Sequence, residues 1–260
     1  MRRFRRWLAS AVLGLAWWLP GGGGLYAVTW EEVRVKDPLS GYEITVRQPR
    51  DLTGDIYSWP SRRDLVYFPY TDAHYIWHSP HTDYVSFAND FHELNEEEKR
   101  RIRRYLKRNR LYVGEEISIE QKLARLEAIY RLRDKDEAFW RWFYRVMAHW
   151  HRDRPEKARG YHAKLVPILE RQLAEVDDGV ERIKTLYLLG EYSWRLDRRE
   201  EAQKYFSRAR RIVWTDQKGQ ARTGIGYVND MIEQRLFDLL AEEAKKREEA
   251  KKQRTNAQKK

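Results

Sequence analysis

The chain has no cysteine. Disulfides, thiolate metal sites, cysteine nucleophiles and lipid attachment through an N-terminal cysteine are all excluded. Long apolar runs are nearly absent too. The one candidate, Trp7 to Pro20, is shorter than the roughly 20 residues that a helix needs to cross a bilayer. No helical HExxH pair and no nucleophile elbow occurs, so the common hydrolase signatures are missing.

What is present in quantity is aromatic and charged. Aromatic residues make up 13% of the 260 residues and charged residues 35%, with mean hydropathy -0.87. Rings to pack, combined with heavy surface charge, suit a slender helical array in which much of each helix faces water. Net charge is +11, of which Arg2, Arg3, Arg5 and Arg6 supply four. The remaining surplus permits an acidic protein, an anionic membrane or a nucleic acid as partner, and selects none of them.

Residues 1–27 have three parts: the basic start, the apolar run, and four glycines followed by Leu25-Tyr26-Ala27. This pattern predicts a secretory signal peptide cleaved near Ala27, or an uncleaved anchor because Leu25 is not small. The expected location is therefore the periplasm or another extracytoplasmic site, with inner-membrane anchoring as the variant.

Residues 28–94 read as a small, irregular α+β domain rich in aromatics. Tyr42 to Val46 and Asp64 to Phe68 are expected strands, and Pro38–Gly41 and His78–His81 are expected turns. Asp72, His74, His78, His81, Asp83, Asp90 and His92 crowd this stretch. Imidazoles and carboxylates can ligate a transition metal, so a metal-binding or hydrolytic centre at His74, His78, His81 and Asp83 is the alternative reading. The main expectation is that these groups are structural, with no metal, cofactor or catalytic residue.

From Asn95 onward the spacing is helical. Asn95 with Glu98 and Ser118 with Gln121 are capping-box pairs, and Asp134 with Glu137 opens a further helix. Helices are expected at 96–110, broken by Gly114, then at 119–132, 136–152 and 156–174, with Pro155 at the start of the last. Counted from Ile183 to Asp216, Leu186, Leu189, Gly190, Ala202, Phe206 and Ala209 take the packing positions of a tetratricopeptide repeat. The small residues stand where helices would approach, and the larger ones fill between. Ser193 stands where an aromatic is usual and Trp214 where a proline is frequent. Val228, Met231, Ile232, Leu236, Leu239 and Leu240 are expected on one face of a closing helix. Residues 243–260, after a helical domain at 95–242, read as a charged tail that extends the closing helix and then frays.

The fold class expected is thus mainly α, with stacked tetratricopeptide-like hairpins and the small N-terminal domain. The chain also resembles an uncharacterised bacterial family, domain of unknown function 2225. Asp37-Pro38-Leu39-Ser40-Gly41 and His78-Ser79-Pro80-His81-Thr82-Asp83-Tyr84 stand where that family has CPxCG-type metal motifs. Leu186 to Tyr192 and Tyr205 to Ala209 match its helical region. The resemblance implies a metal knuckle followed by helical repeats, yet every ligating cysteine is replaced. A metal-free aromatic core is expected in the knuckle's place.

The functional expectation is a non-catalytic scaffold or adaptor in the bacterial envelope, a subunit of an envelope or filament assembly. Trp140, Trp142, Tyr144, Trp150, Tyr192 and Trp194 are its candidate partner-binding anchors. Self-association is a further possibility, and membrane contact could come through the N-terminal segment or the basic tail. Nucleic acid is disfavoured, because acids interrupt the basic residues throughout.

Overall fold

The computed structural model describes residues 29–50, 69–110 and 117–258. The expected signal segment, the expected strand at 64–68 and the break at Gly114 lie outside them.

Two antiparallel hairpins come first. β1 (Trp30–Lys36) pairs with β2 (Glu43–Pro49), placing Val33 opposite Val46 and Val35 opposite Ile44. Alternation turns Ile44 and Val46 inward while their neighbours Glu43, Thr45 and Arg47 stay exposed. β3 (Ile76–His78) pairs with β4 (Val85–Phe87), a strand that sequence reading missed because three residues carry no period.

Seven helices follow among the described residues. They are α1 (Glu96–Arg108), α2 (Ile119–Tyr130), α3 (Glu137–Trp150), α4 (Pro155–Glu175), α5 (Gly179–Arg195), α6 (Arg199–Arg211) and α7 (Gly226–Gln258). Both capping boxes form. Asn95 Oδ1 accepts from Glu98 N–H at 2.8 Å, and Ser118 Oγ accepts from Gln121 N–H at 3.2 Å. The third N-cap is Asp136, not Asp134: Asp136 accepts from Phe139 N–H at 2.8 Å, while Asp134 donates its own N–H to Glu98. A short hairpin of β5 (Val213–Thr215) and β6 (Ala221–Thr223) separates α6 from α7. The last residues of the expected repeat thus lie in a strand. The tail extends the closing helix as far as Gln258.

Packing does not divide at 94/95. One apolar core joins Leu39, Ile44, Ile76 and Phe87 of the N-terminal region to Ile102 of α1, Leu126 of α2, and Phe143 and Met147 of α3. A second core runs from Leu165 and Leu169 of α4 through Leu186, Leu189 and Phe206 to Ile232 of α7. Connectors at 151–154, 176–178 and 196–198 are short enough to fold each helix back antiparallel on the one before.

The α5–α6 contact is tight. A Cβ on Gly190 would lie 2.5 Å from the Phe206 ring, so only glycine fits there. Leu186, Leu189, Gly190, Ala202, Phe206 and Ala209 are all buried. Trp214 lies over the start of α5, where a Cβ on Gly179 would come within 2.5 Å of the Trp214 Cβ. Leu240 departs from its expected place. It is 57% exposed, while Val228, Ile232 and Leu239 form the buried face of α7.

Candidate functional site

The two hairpins end in matching turns. Asp37 N–H donates to Tyr42 O at 2.9 Å and Gly41 N–H to Asp37 O at 2.8 Å. In the second turn Ser79 N–H donates to Tyr84 O and Asp83 N–H to Ser79 O, both at 2.8 Å. The residue closing each turn has positive φ, 79° at Gly41 and 68° at Asp83. Glycine adopts this conformation freely, and aspartate is among the few other residues that tolerate it.

The turns face each other across one carboxylate. Asp37 is 1% exposed, and its Oδ2 accepts from Ser79 Oγ at 2.6 Å, Thr82 Oγ1 at 2.6 Å and Ser40 Oγ at 3.0 Å. Its Oδ1 accepts from Leu39 N–H at 2.7 Å. Four donors thus hold a buried carboxylate that has no cation in the cluster, the usual way such a group is tolerated. These are the positions that the family resemblance gives to metal ligands. Their chemistry does not fit a structural zinc: three are neutral hydroxyls already bonded to the fourth, and thiolate or imidazole is lacking. The expected aromatic filling is also corrected, because this centre is polar, and the aromatic packing lies in the adjoining core, where Trp77 meets Phe91 edge-on and Tyr84 is tilted against Phe91.

The four metal candidates do not converge. His78 Nε2 lies 3.2 Å from Asp83 Oδ1, and Asp83 Oδ2 lies 3.4 Å from Arg125 of α2. His81 is exposed and rests on the Tyr42 ring, 5.0 Å between centroids. His74 is exposed, 3.5 Å from Arg47 and edge-on to Trp30. Among the described residues no three metal-ligating groups cluster. Burial lowers the His78 pKa from its ordinary value, and the bond to Asp83 only partly offsets that. The imidazole is thus held between a buried acid and the start of β4.

The same region carries a second polar knot that sequence reading did not find. Arg133 binds Asp90 with two bonds of 2.7 and 3.0 Å, and its Nε lies 3.7 Å from Glu98. Lys135 also reaches Asp90, at 2.9 Å. Because these partners are about forty residues apart, no local spacing signals the contact.

The aromatic anchors are mostly occupied internally. Tyr192 is fully buried against His162, which removes it from the partner-binding candidates. Trp142 packs edge-on to Tyr70 at 4.5 Å and to Phe87 at 5.3 Å. Trp150 Nε1 donates to Tyr70 O at 2.9 Å. Trp140 and Tyr144 pack on each other, and Trp140 also touches Phe143. Trp194 lies beneath the Arg235 guanidinium at 3.2 Å, with Arg199 at 5.3 Å. Arg235 in turn binds the buried Glu191 at 2.6 and 3.1 Å. Ring density on α3 thus serves to fasten the N-terminal region to the helices.

Besides a pocket of about 340 Å³ beside the Arg133 knot, lined by Asp90, Tyr130, Lys135 and Trp142 among others, two surface grooves stand out among the described residues. One, of about 420 Å³, lies between α2 and α4 over the small residues Ala124, Ala128 and Gly160. Several of its polar groups pair with one another. Lys164 lies 2.8 Å from Glu127 and 4.6 Å from the Tyr161 ring centroid, and Tyr161 donates to Glu127. Burial raises the Glu127 carboxyl, but the bonds from Lys164 and Tyr161 outweigh it, and the net shift is downward. The other groove, of about 500 Å³, runs along α6 and is lined by Lys204, Arg208 and Arg211 with Tyr205 and Glu201. Glu201 is paired with Arg198 at 3.6 Å, and Tyr205 donates to Glu170 of α4 at 3.0 Å. This groove presents three cations on one helical face.

Comparison with protein-family models, curated proteins and solved structures gives no match.

Proposed function

We propose that the protein is an exported helical-repeat scaffold that holds an acidic segment of a protein partner in the bacterial envelope. The observation that carries this reading is the basic α6 groove, where Lys204, Arg208 and Arg211 face outward beside a tyrosine. A carboxylate-rich segment would meet three cations there, and arginine can bind carboxylates with two bonds.

The finer architecture we propose is a tetratricopeptide-like stack in which α5 and α6 form one unit. The close approach of Gly190 to Phe206 and the burial of Ala202 and Ala209 support it. The α3–α4 pair would be a longer upstream unit, with Ala158 near the start of α4 taking the place that Ala202 has near the start of α6. Export is supported by the basic start, the apolar run and Ala27. No helix among the described residues is long and apolar enough to cross a membrane.

The test places a photo-crosslinking residue at Ser207 and recovers adducts from the native envelope. One defined partner should be trapped. The triple variant Lys204→Glu, Arg208→Glu, Arg211→Glu should lose it while its thermal melt stays unchanged. Trapping only chaperones, or an adduct indifferent to charge reversal, would refute the reading.

A further inference from the structure

The helix α7 has two apolar faces, and the fold uses one. Val228, Ile232, Arg235 and Leu239 recur at the spacing of a single helical face and are buried against α5 and α6. Phe237, Leu240, Ala241 and Ala244 recur at i, i+3, i+4 and i+7 on the opposite face, and all four are exposed. Phe237 is 67% and Leu240 57% exposed, adjacent on the helix and far above the exposure usual for such side chains.

Charge along this outer face is ordered. Asp230 and Glu233 precede the apolar patch, and Arg247, Lys251 and Lys252 follow it. Glu248 interrupts the basic end and is paired within the helix to Lys252 at 2.8 Å. Arg247 is paired to Glu243 at 3.8 Å. Both are exposed intrahelical pairs of the weak kind and can rearrange at little cost.

From this order we infer that the protein associates with a second copy of itself through the outer face of α7, the two helices running antiparallel. Take a two-fold axis between Leu240 and Ala241. Phe237 then faces Ala244 of the second copy, Leu240 faces its Ala241, and Asp230 faces its Lys251. Large residues meet small ones, twice over, as an isologous contact requires, and Asp230 meets Lys251. The same axis sets Glu233 opposite Glu248, so the attraction between the ends comes from the net charge of Asp230 and Glu233 against that of Arg247, Lys251 and Lys252. A parallel pair would set Phe237 on Phe237 and like charge on like. The contact spans about 30 Å of helix from Asp230 to Lys252. It lies on a different helix from the α6 groove, so either assignment can fail without the other.

The absence of cysteine makes the test direct. Full-length Asp230→Cys and Lys251→Cys chains are prepared separately and oxidised alone and together. Disulfide-linked dimer should form in the mixture and be scarce in either chain alone, whereas Ala241→Cys should cross-link with itself. In sedimentation, Phe237→Glu should weaken the dimer at least about tenfold, while the thermal melt at dilutions where both chains are monomeric stays unaltered, since the side chain is exposed in one copy. Lys251→Glu should weaken it as well, and mixing that variant with Asp230→Lys should restore association. A chain that stays monomeric at about 0.1 mM, or cross-linking of like positions at 230 and 251, overturns the inference.

Discussion

In the first core, the chain is tied by charge across long sequence distances: Asp37 to Ser79 and Thr82, Asp83 to Arg125, Asp90 and Glu98 to Arg133. In the second, helices that follow one another pack through small residues against large ones, and Glu191–Arg235 is the principal buried ion pair. The difference follows from how much regular structure each region has. Strands of three to seven residues cannot bury enough apolar surface to fix their turns, and buried polar knots supply the specificity. Helices of 13 residues or more bury a continuous stripe and need little else.

That contrast is open to attack at four points. Arg133→Met should cost most, about 3–5 kcal/mol, because it strips the buried Glu98 of its cation and leaves Asp90 with Lys135 alone. Chemical denaturation would read it, and a loss under about 1 kcal/mol would mean the knot is dispensable. Asp37→Ala should cost about 3 kcal/mol by stranding the Ser79 and Thr82 hydroxyls, and Asp37→Asn less, since an amide oxygen still accepts. Equal losses for the two would show that shape matters there and hydrogen bonding does not.

In the second core, Gly190→Ala should cost about 1–3 kcal/mol through the Phe206 clash, although alanine is the better helix former. A stabilised variant would mean Phe206 moves freely. The smallest effect concerns pH. Burial lowers the pKa of both His78 and His151 from 6.5, for His151 with help from Lys157 and Arg154. The unfolded chain then takes up protons that the fold resists, so stability falls as pH drops below about 6.5 and levels off once the folded groups titrate. The melting temperature should therefore decline between pH 7.5 and 5.5 (roughly the span in which ordinary imidazoles titrate), and His78→Gln should flatten part of that decline. An unchanged profile in the variant would put the pH sensitivity elsewhere.

Much of the helical body was legible because its signals are local. Asn95, Ser118 and Pro155 mark helix starts within one turn, and the spacing of Gly190 to Phe206 encodes a contact between neighbours in sequence. Where the reading slipped, a second local signal competed. Asp134 and Asp136 are both capable caps, and Glu98 captured the first. Leu240 shares the hydrophobicity of Leu239 but lies about 100° further round the helix, and so faces out. Trp214 ended a repeat pattern whose continuation was a hairpin.

By itself the sequence determined most of the helices, several of their starts and the glycine where α5 meets α6, because caps, periodicity and backbone freedom act over a few residues. Only the tertiary structure decided what the polar and aromatic residues do. It drew Ser79 and Thr82 onto Asp37, scattered His74, His78 and His81, and sank Tyr192 into the second core. It also left Phe237 and Leu240 outside. A side chain's partner forty residues away, or the side of a helix that meets the body, is fixed by three-dimensional packing, and no local spacing carries that information.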